Sequence, residues 1–263
     1  PGRSAGCSRR WTPGDAMKVL ATYSIKGGVG KTTSAVNLAR EAAAGGSRVL
    51  VWDLDPQGAA TFFFRIRPKV KGGTERLVSS KGDLAEHIRA SDVTGIHVVP
   101  ADFSLRHLDL HLDGRKRPTE RLAALLAGVK ERYDVAILDC PPSISLASES
   151  VFGAADALLV PVIPTTLSSR TLQQLSEFLG GQESPPALLP YFSMVDGRKR
   201  LHRDVMAVLR EEWPTLFATV IPSASIIERM GPERAPVGAY APTSAAARAF
   251  GDLWSEVATR LWA

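Results

Sequence analysis

Short apolar runs alternate along the chain with longer segments in which apolar residues recur at helical spacing. The runs are rich in Val, Ile and Leu and predict strands at about residues 18–24, 48–53, 96–100, 134–139, 157–163, 188–195 and 217–221. Helical segments lie between them, for example 120–132 and 201–212. This alternation predicts an α/β fold in which a mostly parallel twisted sheet is covered by helices on both faces.

Composition is that of an ordinary globular protein, with 44% hydrophobic and 22% charged residues. No internal repeat or long low-complexity linker interrupts the pattern, so residues 17–263 are predicted to form a single domain. No apolar run approaches the roughly 18–20 residues that a membrane-spanning helix needs. Cys7 and Cys140 are the only cysteines. They predict neither a disulfide framework nor a metal site, which makes a reducing cytoplasm the expected location.

Residues 1–16 do not follow the pattern of the rest. They are polar and loop-like, and Met17 comes immediately before the first apolar run. We expect either that Met17 is the natural start and 1–16 is an upstream or expression remnant, or that 1–16 is a short basic tail that touches DNA or a partner. The segment is too short to form a helix-turn-helix domain.

The most informative segment is the glycine-rich run between the first predicted strand and the first helix. Glycines let the backbone turn tightly and bring its N–H groups to phosphate oxygens, and the following helix adds its positive N-terminal end. The ordinary phosphate-loop pattern requires glycine at position 25, where this chain has Ile25, whereas a variant with an additional lysine fits in full. The predicted ATP-binding residues of the loop are Lys26, Gly27, Gly28, Val29, Gly30, Lys31, Thr32 and Thr33.

This loop resembles the deviant Walker A loop of the ParA/MinD ATPases, particularly the small Soj-type partition ATPases. The resemblance runs from about residue 18 to the end of the chain and implies a P-loop NTPase fold with ATP and Mg²⁺ as cofactors. Lys31 would reach the phosphates of its own nucleotide, and the Thr32 hydroxyl would hold Mg²⁺. By resemblance, Lys26 would touch the partner's nucleotide in an ATP-bound homodimer, where two lysines neutralise a triphosphate better than one.

Two acidic segments extend the resemblance. Residues 48–58 end in Asp-Leu-Asp-Pro-Gln-Gly, and the apolar run within 134–143 ends in Asp-Cys-Pro-Pro. The first pair of aspartates is spaced so that both carboxylates point the same way if they share a strand. The resemblance implies that Asp55 orients the attacking water, that Asp53 faces the Mg²⁺ shell and that Asp139 holds Mg²⁺ through water. The implied catalytic residues are Lys26, Lys31 and Asp55, and the implied metal residues are Thr32, Asp53 and Asp139.

The resemblance also places the base of the nucleotide and a DNA-binding surface. Met194, Asp196 and Pro222 are the implied base-side contacts. The basic run that follows predicts non-specific contacts with DNA phosphates, and a solvated basic loop is the alternative. The predicted DNA-binding residues are Arg198, Lys199, Arg200, Arg203 and Arg229.

Two departures from the family bear on that surface and on a partner. Ser223 and Ile226 stand where relatives carry basic residues, so part of the DNA footprint is missing or has moved to Arg229 and Arg234. Three consecutive aromatics, 62–64, come shortly after the Asp-Leu-Asp-Pro-Gln-Gly segment, residues 53–58, which we call the acidic switch. We interpret two of them as core and one as partly exposed, and the alternative is an apolar contact for the dimer or an activating partner.

The apolar stripe of the last helix bears on whether the helix binds a membrane surface or packs on the domain. Phe250, Leu253 and Val257 belong to it, and its polar face is nearly neutral. A membrane-surface helix carries a basic polar face, so we expect packing on the domain and no membrane partner.

The prediction is an ATP-dependent dimerising switch that binds DNA non-specifically. It would partition a plasmid or chromosome, or position a cargo on the nucleoid, and slow ATP hydrolysis stimulated by a ParB-like or other protein partner would reset it. The expected location is cytoplasmic and nucleoid-associated. Two alternatives stay open, a MinD-like membrane-surface ATPase and a nucleotide-dependent regulatory switch without DNA binding.

Overall fold

The computed structural model describes residues 16–79 and 81–262. Its centre is an eight-stranded sheet in the order β3-β4-β2-β5-β1-β6-β7-β8, and only the pairing of β3 with β4 is antiparallel. The strands are β1 Lys18–Thr22, β2 Val49–Asp53, β3 Arg89–Ala90, β4 Ile96–Val99, β5 Val135–Asp139, β6 Ala157–Val162, β7 Ala187–Val195 and β8 Val220–Pro222.

Helices cover both faces of the sheet. The α-helices are α1 Lys31–Ala44, α2 Ala59–Phe63, α3 Gly73–Leu77, α4 Leu108–Asp113, α5 Arg121–Ala127, α6 Leu146–Ala154, α7 Thr166–Gly180, α8 Arg200–Glu212, α9 Ser225–Glu228, α10 Met230–Glu233, α11 Val237–Tyr240 and α12 Ala245–Leu261. Short 3₁₀ turns lie at Leu84–His87, Phe103–His107, Pro118–Glu120 and Lys130–Arg132. The predicted α/β architecture is therefore confirmed.

All the predicted strands are present, with local corrections. The last one begins at Val220 rather than 217, because the amides of Ala218 and Thr219 donate to the carboxylate of Glu256 instead of to a strand. The helix predicted over 120–132 ends at Ala127, before a 3₁₀ turn. Strand β3 is only two residues long and exposed, so it carries no apolar pattern to predict it. The segment predicted to lie outside the fold, 1–16, falls outside the described residues except for Ala16.

The core lies on both faces of the sheet. Strands β1, β2 and β5 are almost completely buried, which explains their uninterrupted apolar sequences. Tyr23 and Trp52 belong to the core on one face, and Phe64 and Phe250 to the core on the other. In the aromatic run, Phe64 is buried, Phe63 is half-buried on the same core and Phe62 is 45% exposed, as predicted.

The apolar stripe of α12 is part of this core. Phe250, Leu253 and Val257 have no exposed surface, and Trp262 just beyond the helix is buried with them. The prediction that the helix packs on the domain is confirmed. Among the residues that the structure describes, no helix combines the length and the apolar character needed to cross a bilayer.

Parallel pairing brings the carboxyl ends of the central strands to one edge of the sheet. In the register of the sheet, Asp139 is the partner of Thr22 on one side and of Asp53 on the other. The glycine-rich loop leaves β1 at this same edge, because it directly follows Thr22. The fold thus gathers the predicted phosphate-binding and metal-binding residues in one place.

Candidate functional site

The glycine-rich loop connects β1 to the N-terminus of α1 and is fixed to β7. Gly30 has a φ of 98°, and a Cβ placed there would lie 2.8 Å from Oγ of Ser193. The Ser193 hydroxyl donates to the carbonyl oxygen of Val29 at 2.9 Å. Only glycine satisfies both the backbone conformation and the close approach. No side chain caps α1, and Gly27 and Gly28 are exposed, so the loop and helix amides are free to bind an anion.

The Lys31 ammonium is buried beneath the loop. Lys31 is only 7% exposed, and its Nζ donates to the carbonyl oxygen of Lys26 at 3.0 Å. Burial lowers the pKa of Lys31, while the charges of Asp139 and Asp55 raise it. Within the described residues no carboxylate forms an ion pair with it at 4 Å or less. A buried ammonium of this kind is suited to an anionic ligand.

Two buried carboxylates lie side by side at the ends of β2 and β5. Asp139 has no exposed surface, its Oδ1 accepts a hydrogen bond from the Thr22 hydroxyl at 3.3 Å, and its Oδ2 accepts none from any residue that the structure describes. Burial, reinforced by the charge of Asp53, raises the pKa of Asp139 well above its usual range, and the Thr32 hydroxyl opposes this rise. A buried carboxylate oxygen without a partner, next to a threonine hydroxyl, matches the oxygen donors that Mg²⁺ prefers.

Asp53 is the better satisfied of the two carboxylates. Its Oδ2 accepts hydrogen bonds from the amide of Thr61 at 2.8 Å and from the hydroxyl of the same residue at 2.7 Å. Burial nevertheless raises the pKa of Asp53 to about 6, with the charge of Asp55 contributing. The residues present therefore fit a divalent cation, because a nearby positive charge would relieve the cost of two adjacent buried carboxylates.

Asp55 is placed by a turn rather than by a strand. Strand β2 ends at Asp53, as the prediction of a strand over 48–53 implies, so the two carboxylates do not share a strand. The Asp55 amide donates to Oδ1 of Asp53 at 3.2 Å, and Oδ1 of Asp55 accepts from the amide of Gln57 at 2.9 Å. These bonds hold the Asp55 carboxylate half-buried at the carboxyl end of the sheet, next to the glycine-rich loop and near enough to Lys31 to influence its pKa.

A cavity of about 260 Å³ adjoins the loop on the side of β7 and β8. Met194 and Pro222, the implied base-side contacts, line it, and Met194 has a φ of 54°. Asp196 is not among the described residues that line the cavity, and its carboxylate pairs with Arg198 at 3.0 Å. Gly30 and Thr33 of the predicted ATP-binding loop also line the cavity, and sequence reasoning missed the rest of the lining, which is Ser34, Phe63, Ser193, Ile221, Ile227, Glu228, Met230 and Gly231.

The predicted DNA-binding cations are exposed. The side chain of Arg198 is 92% exposed and that of Arg200 is 87% exposed and pairs with Asp204 at 3.5 Å. Lys199 and Arg203 are exposed beside them, at the start of α8. Arg229 lies in the last loop, paired with Glu233, and within the described residues no ion pair or hydrogen bond joins it to the α8 cluster. Exposed pairs of this kind are weak and leave the cations open to other anions.

Comparison with known proteins identifies the family. An AAA-domain family model matches residues 17–183. The chain is 35% identical over 251 residues to the chromosome-partitioning ATPase Soj of Thermus thermophilus, covering 93% of this chain and 97% of that protein. It is 31% identical over 250 residues to the sporulation initiation inhibitor protein Soj of Bacillus subtilis, covering 92% and 98%. The chain belongs to the ParA/MinD family of P-loop ATPases. Its resemblance to partition-type members is likewise confirmed.

Solved structures share the fold of this chain. Cobyrinic acid a,c-diamide synthase from Mycobacterium smegmatis, solved with bound ADP and magnesium, is 27% identical and superposes with a TM-score of 0.77 over 94% of this chain and 95% of that one. A plasmid partition protein from Borrelia burgdorferi bound to AMPPNP gives a TM-score of 0.82 at 18% identity, over 93% and 99%. The second likeness bears on the fold alone, and it confirms the P-loop NTPase architecture.

Proposed function

We propose that this ParA/MinD ATPase is a nucleotide-dependent dimerising switch that binds DNA non-specifically in its ATP state and is reset by hydrolysis. The observation that carries the proposal is the convergence, at one edge of the sheet, of a buried Lys31, an uncapped helix N-terminus and two buried carboxylates. This is the arrangement that a magnesium triphosphate requires. Family membership supports ATP hydrolysis as the reaction.

Each side chain has a distinct task in the proposed reaction. The amides of residues 27–33 and the Lys31 ammonium bind and orient the phosphates. Thr32 and the carboxylates of Asp53 and Asp139 hold Mg²⁺, which supplies charge neutralisation on the phosphate oxygens. Asp55, held by its turn, accepts a hydrogen bond from the attacking water and aligns it with the γ-phosphorus. The base occupies the cavity lined by Met194 and Pro222.

Lys26 connects catalysis to dimerisation. It stands five residues before Lys31 in a loop whose next two residues are exposed, and its ammonium forms no ion pair within the described part of the chain. We propose that it reaches the γ-phosphate bound to a second copy. The ATP dimer would then form because the phosphate supplies the anion that each Lys26 lacks. Hydrolysis removes that anion and lets the two copies separate.

The DNA-bound state gives the switch its biological use. The α8 cluster of Arg198, Lys199, Arg200 and Arg203 is proposed to contact phosphates without reading sequence. Two copies would double the number of cations on the DNA, which ties DNA affinity to the ATP state. Partition of a replicon, or positioning of a cargo over the nucleoid, then follows from release at sites where a protein partner stimulates hydrolysis.

The test is binding of random-sequence duplex DNA with ATP, ADP or no nucleotide, at about 0.05 M and 0.2 M salt. Variants Lys26→Ala and Arg198→Ala/Arg200→Ala run alongside, and light scattering reports the oligomeric state. We expect ATP-dependent binding that salt weakens. Lys26→Ala should stay monomeric and lose DNA, whereas Arg198→Ala/Arg200→Ala should still dimerise and hydrolyse ATP but bind DNA less tightly.

Two results would contradict the proposal. Absence of DNA binding in every nucleotide state would leave an ATPase switch without the DNA role. Dimerisation that Lys26→Ala does not change would remove the proposed role of Lys26 as the link between nucleotide and dimer. Flotation on anionic vesicles, with no DNA binding, would favour the membrane-surface alternative.

A further inference from the structure

A basic segment that the proposed function does not use lies between α2 and α3. Residues 65–71 read Arg-Ile-Arg-Pro-Lys-Val-Lys, so a cation stands at every second position. Together with Arg89 from β3 they line a groove of about 560 Å³. Its lining consists of Arg65, Ile66, Arg67, Lys69, Lys71, Arg89 and Ala90, which is five cations and no carboxylate.

The basic segment is held in place by its apolar and backbone groups, which leaves its cations in solvent. Val70 is 4% exposed, and its amide donates to Oδ2 of Asp102 at 2.7 Å. Ile66 packs half-buried against the core, and its amide donates to the carbonyl oxygen of Thr61. Arg67, Lys69 and Lys71 are exposed and form no ion pair with any described residue. A preorganised row of uncompensated cations favours a polyanion over a single charged group.

The groove is continuous with the arginines of the last nucleotide-side loop. Arg65 pairs with Asp92 at 3.0 Å and donates to the carbonyl oxygen of Glu233 at 2.9 Å. Arg234 donates to the carbonyl oxygen of Phe62 at 3.3 Å and stacks over its ring. Arg229 is linked to the same place through its pair with Glu233. The basic surface therefore extends from residues 65–71 to the loop in which the expected arginines at 223 and 226 are absent.

We infer that this groove is a contact surface for the phosphate backbone of duplex DNA. The inference rests on the proposed function and names a second part of its DNA footprint. Arg67, Lys69 and Lys71, which form no ion pair with any described residue, supply charge for phosphate contacts, and phosphate contacts carry no sequence information, so the contact is independent of sequence. Among the described residues no aromatic side chain lines the groove, which disfavours single strands, since these are bound by stacking of bases on aromatic rings.

The groove is also connected to the nucleotide site. Thr61 of α2 donates to the Asp53 carboxylate, and the chain passes from Thr61 to Arg65 through only three residues. A change at the metal site can therefore move the start of the basic segment. Through this connection we expect the contact to depend on nucleotide, as the proposed switch requires.

The experiment compares two triple variants of the full chain in the presence of ATP. Arg67→Gln/Lys69→Gln/Lys71→Gln removes three charges from the groove. Lys116→Gln/Lys130→Gln/Arg132→Gln removes the same charge from exposed positions outside it, two of them at the amino end of β5. Affinity for random-sequence duplex DNA is measured across salt concentrations, with thermal unfolding and DNA-free ATP turnover as checks of the fold.

We expect the groove variant to bind DNA roughly tenfold more weakly at ~0.1 M salt, with the slope of log affinity against log salt reduced by about 2 to 3. The control should keep most of the affinity. Arg67→Lys/Lys69→Arg/Lys71→Arg, which preserves charge, should bind like the wild type. Polyglutamate of matched charge should compete only weakly with duplex DNA for the wild-type protein.

Distinct results separate this inference from the proposed function. If the wild type binds DNA and the groove variant binds equally well, or no worse than the control, the inference is wrong and the DNA role stands. If polyglutamate binds the groove more tightly than duplex DNA does, the surface is for an acidic protein segment. If the wild type binds no DNA in any state, both proposals fail together.

Discussion

Thr61 binds the carboxylate of Asp53 twice, through its amide at 2.8 Å and through its hydroxyl at 2.7 Å. The same hydroxyl accepts a hydrogen bond from the amide of Ala101 at 2.9 Å. One buried side chain thus joins β2, the start of α2 and the segment after β4. The proposed metal site and the segment behind the acidic switch are coupled by this contact.

Replacing Thr61 tests that coupling. Thr61→Val keeps the shape but leaves the Ala101 amide without a partner and removes one bond from Asp53. We expect the free energy of unfolding to fall by about 2 kcal/mol, and magnesium-dependent ATP turnover to fall with it. Thr61→Ser keeps the hydroxyl and should retain most of both. Denaturant unfolding and steady-state turnover measure the two effects, and equal losses in both variants would speak against a role for the hydroxyl.

The raised pKa of Asp53 predicts that the stability of the fold depends on pH in an unusual direction. Burial raises the pKa of Asp53 in the folded protein from 3.8 to about 6, so the folded state binds more protons than the unfolded state between about pH 4 and pH 6. The contribution of Asp53 to stability therefore decreases as pH rises through this window. Asp53→Asn removes this titration together with the charge that raises the pKa of Asp139, so the stability of the variant relative to the wild type should rise across the window, by an amount on the order of 3 kcal/mol.

The measurement is denaturant unfolding of the wild type and Asp53→Asn at a series of pH values, without nucleotide and with a metal chelator. Lost hydrogen bonds shift the difference between the two proteins by a constant amount. Only its change with pH reports the titration. A difference that stays flat from about pH 4 to pH 7 would mean that the charge of Asp53 is not penalised in the fold.

Gly30 and Gly28 make a matched pair for the glycine-rich loop. Both have positive φ, 98° and 70°, but only Gly30 would place a Cβ against Ser193. We expect Gly28→Ala to cost about 1 kcal/mol of stability, and Gly30→Ala to cost about 2–3 kcal/mol and to abolish nucleotide binding. Calorimetry with ATP and thermal unfolding measure the two effects.

The contact itself can be isolated by a second substitution. Ser193→Ala shortens the side chain that meets the new Cβ, so Gly30→Ala/Ser193→Ala should be more stable than the sum of the single variants predicts. Strict additivity would assign the whole penalty at Gly30 to its backbone conformation.

How far the sequence predicted this site depends on whether the signal is local. The glycine-rich loop, Lys31 and Asp139 are readable because strand, turn and helix follow one another within a few residues. Asp53 is also placed correctly, at the end of β2. The predicted strand also ends at 53, but the geometry of the turn that holds Asp55 is set by hydrogen bonds to Asp53 and Gln57 that the apolar pattern does not encode.

The base-side cavity shows where sequence reasoning stops. Met194 and Pro222 follow strands and could be placed by register, but Phe63 enters the cavity from α2, far away in sequence. Asp196 was predicted to contact the base, yet Arg198, two residues on, forms an ion pair with it that lowers its pKa to about 2. Phe63 reaches the cavity through contacts across the fold, which no local sequence pattern encodes.

Phe63 gives the last prediction, because its neighbour supplies a control. Phe63 lines the cavity and is half-buried, whereas Phe62 is 45% exposed and does not line it. An aromatic ring beside a nucleotide base contributes about 1–3 kcal/mol by stacking. Phe63→Ala should therefore weaken ATP and ADP binding alike, by roughly tenfold, while Phe62→Ala leaves both nearly unchanged.

Tripolyphosphate, which has no base, separates contact from folding. If Phe63 contacts the base, tripolyphosphate should bind Phe63→Ala and the wild type with equal affinity, because the loop and Lys31 still hold the phosphates. An equal loss of ATP and tripolyphosphate would instead mean that removing the ring disturbs α2 and, through Thr61, the carboxylate of Asp53. Isothermal titration of ATP, ADP and tripolyphosphate against Phe63→Ala and Phe62→Ala distinguishes these outcomes. The same measurement shows whether α2 contributes to nucleotide binding through the Phe63 ring or only through the acidic switch that precedes the helix.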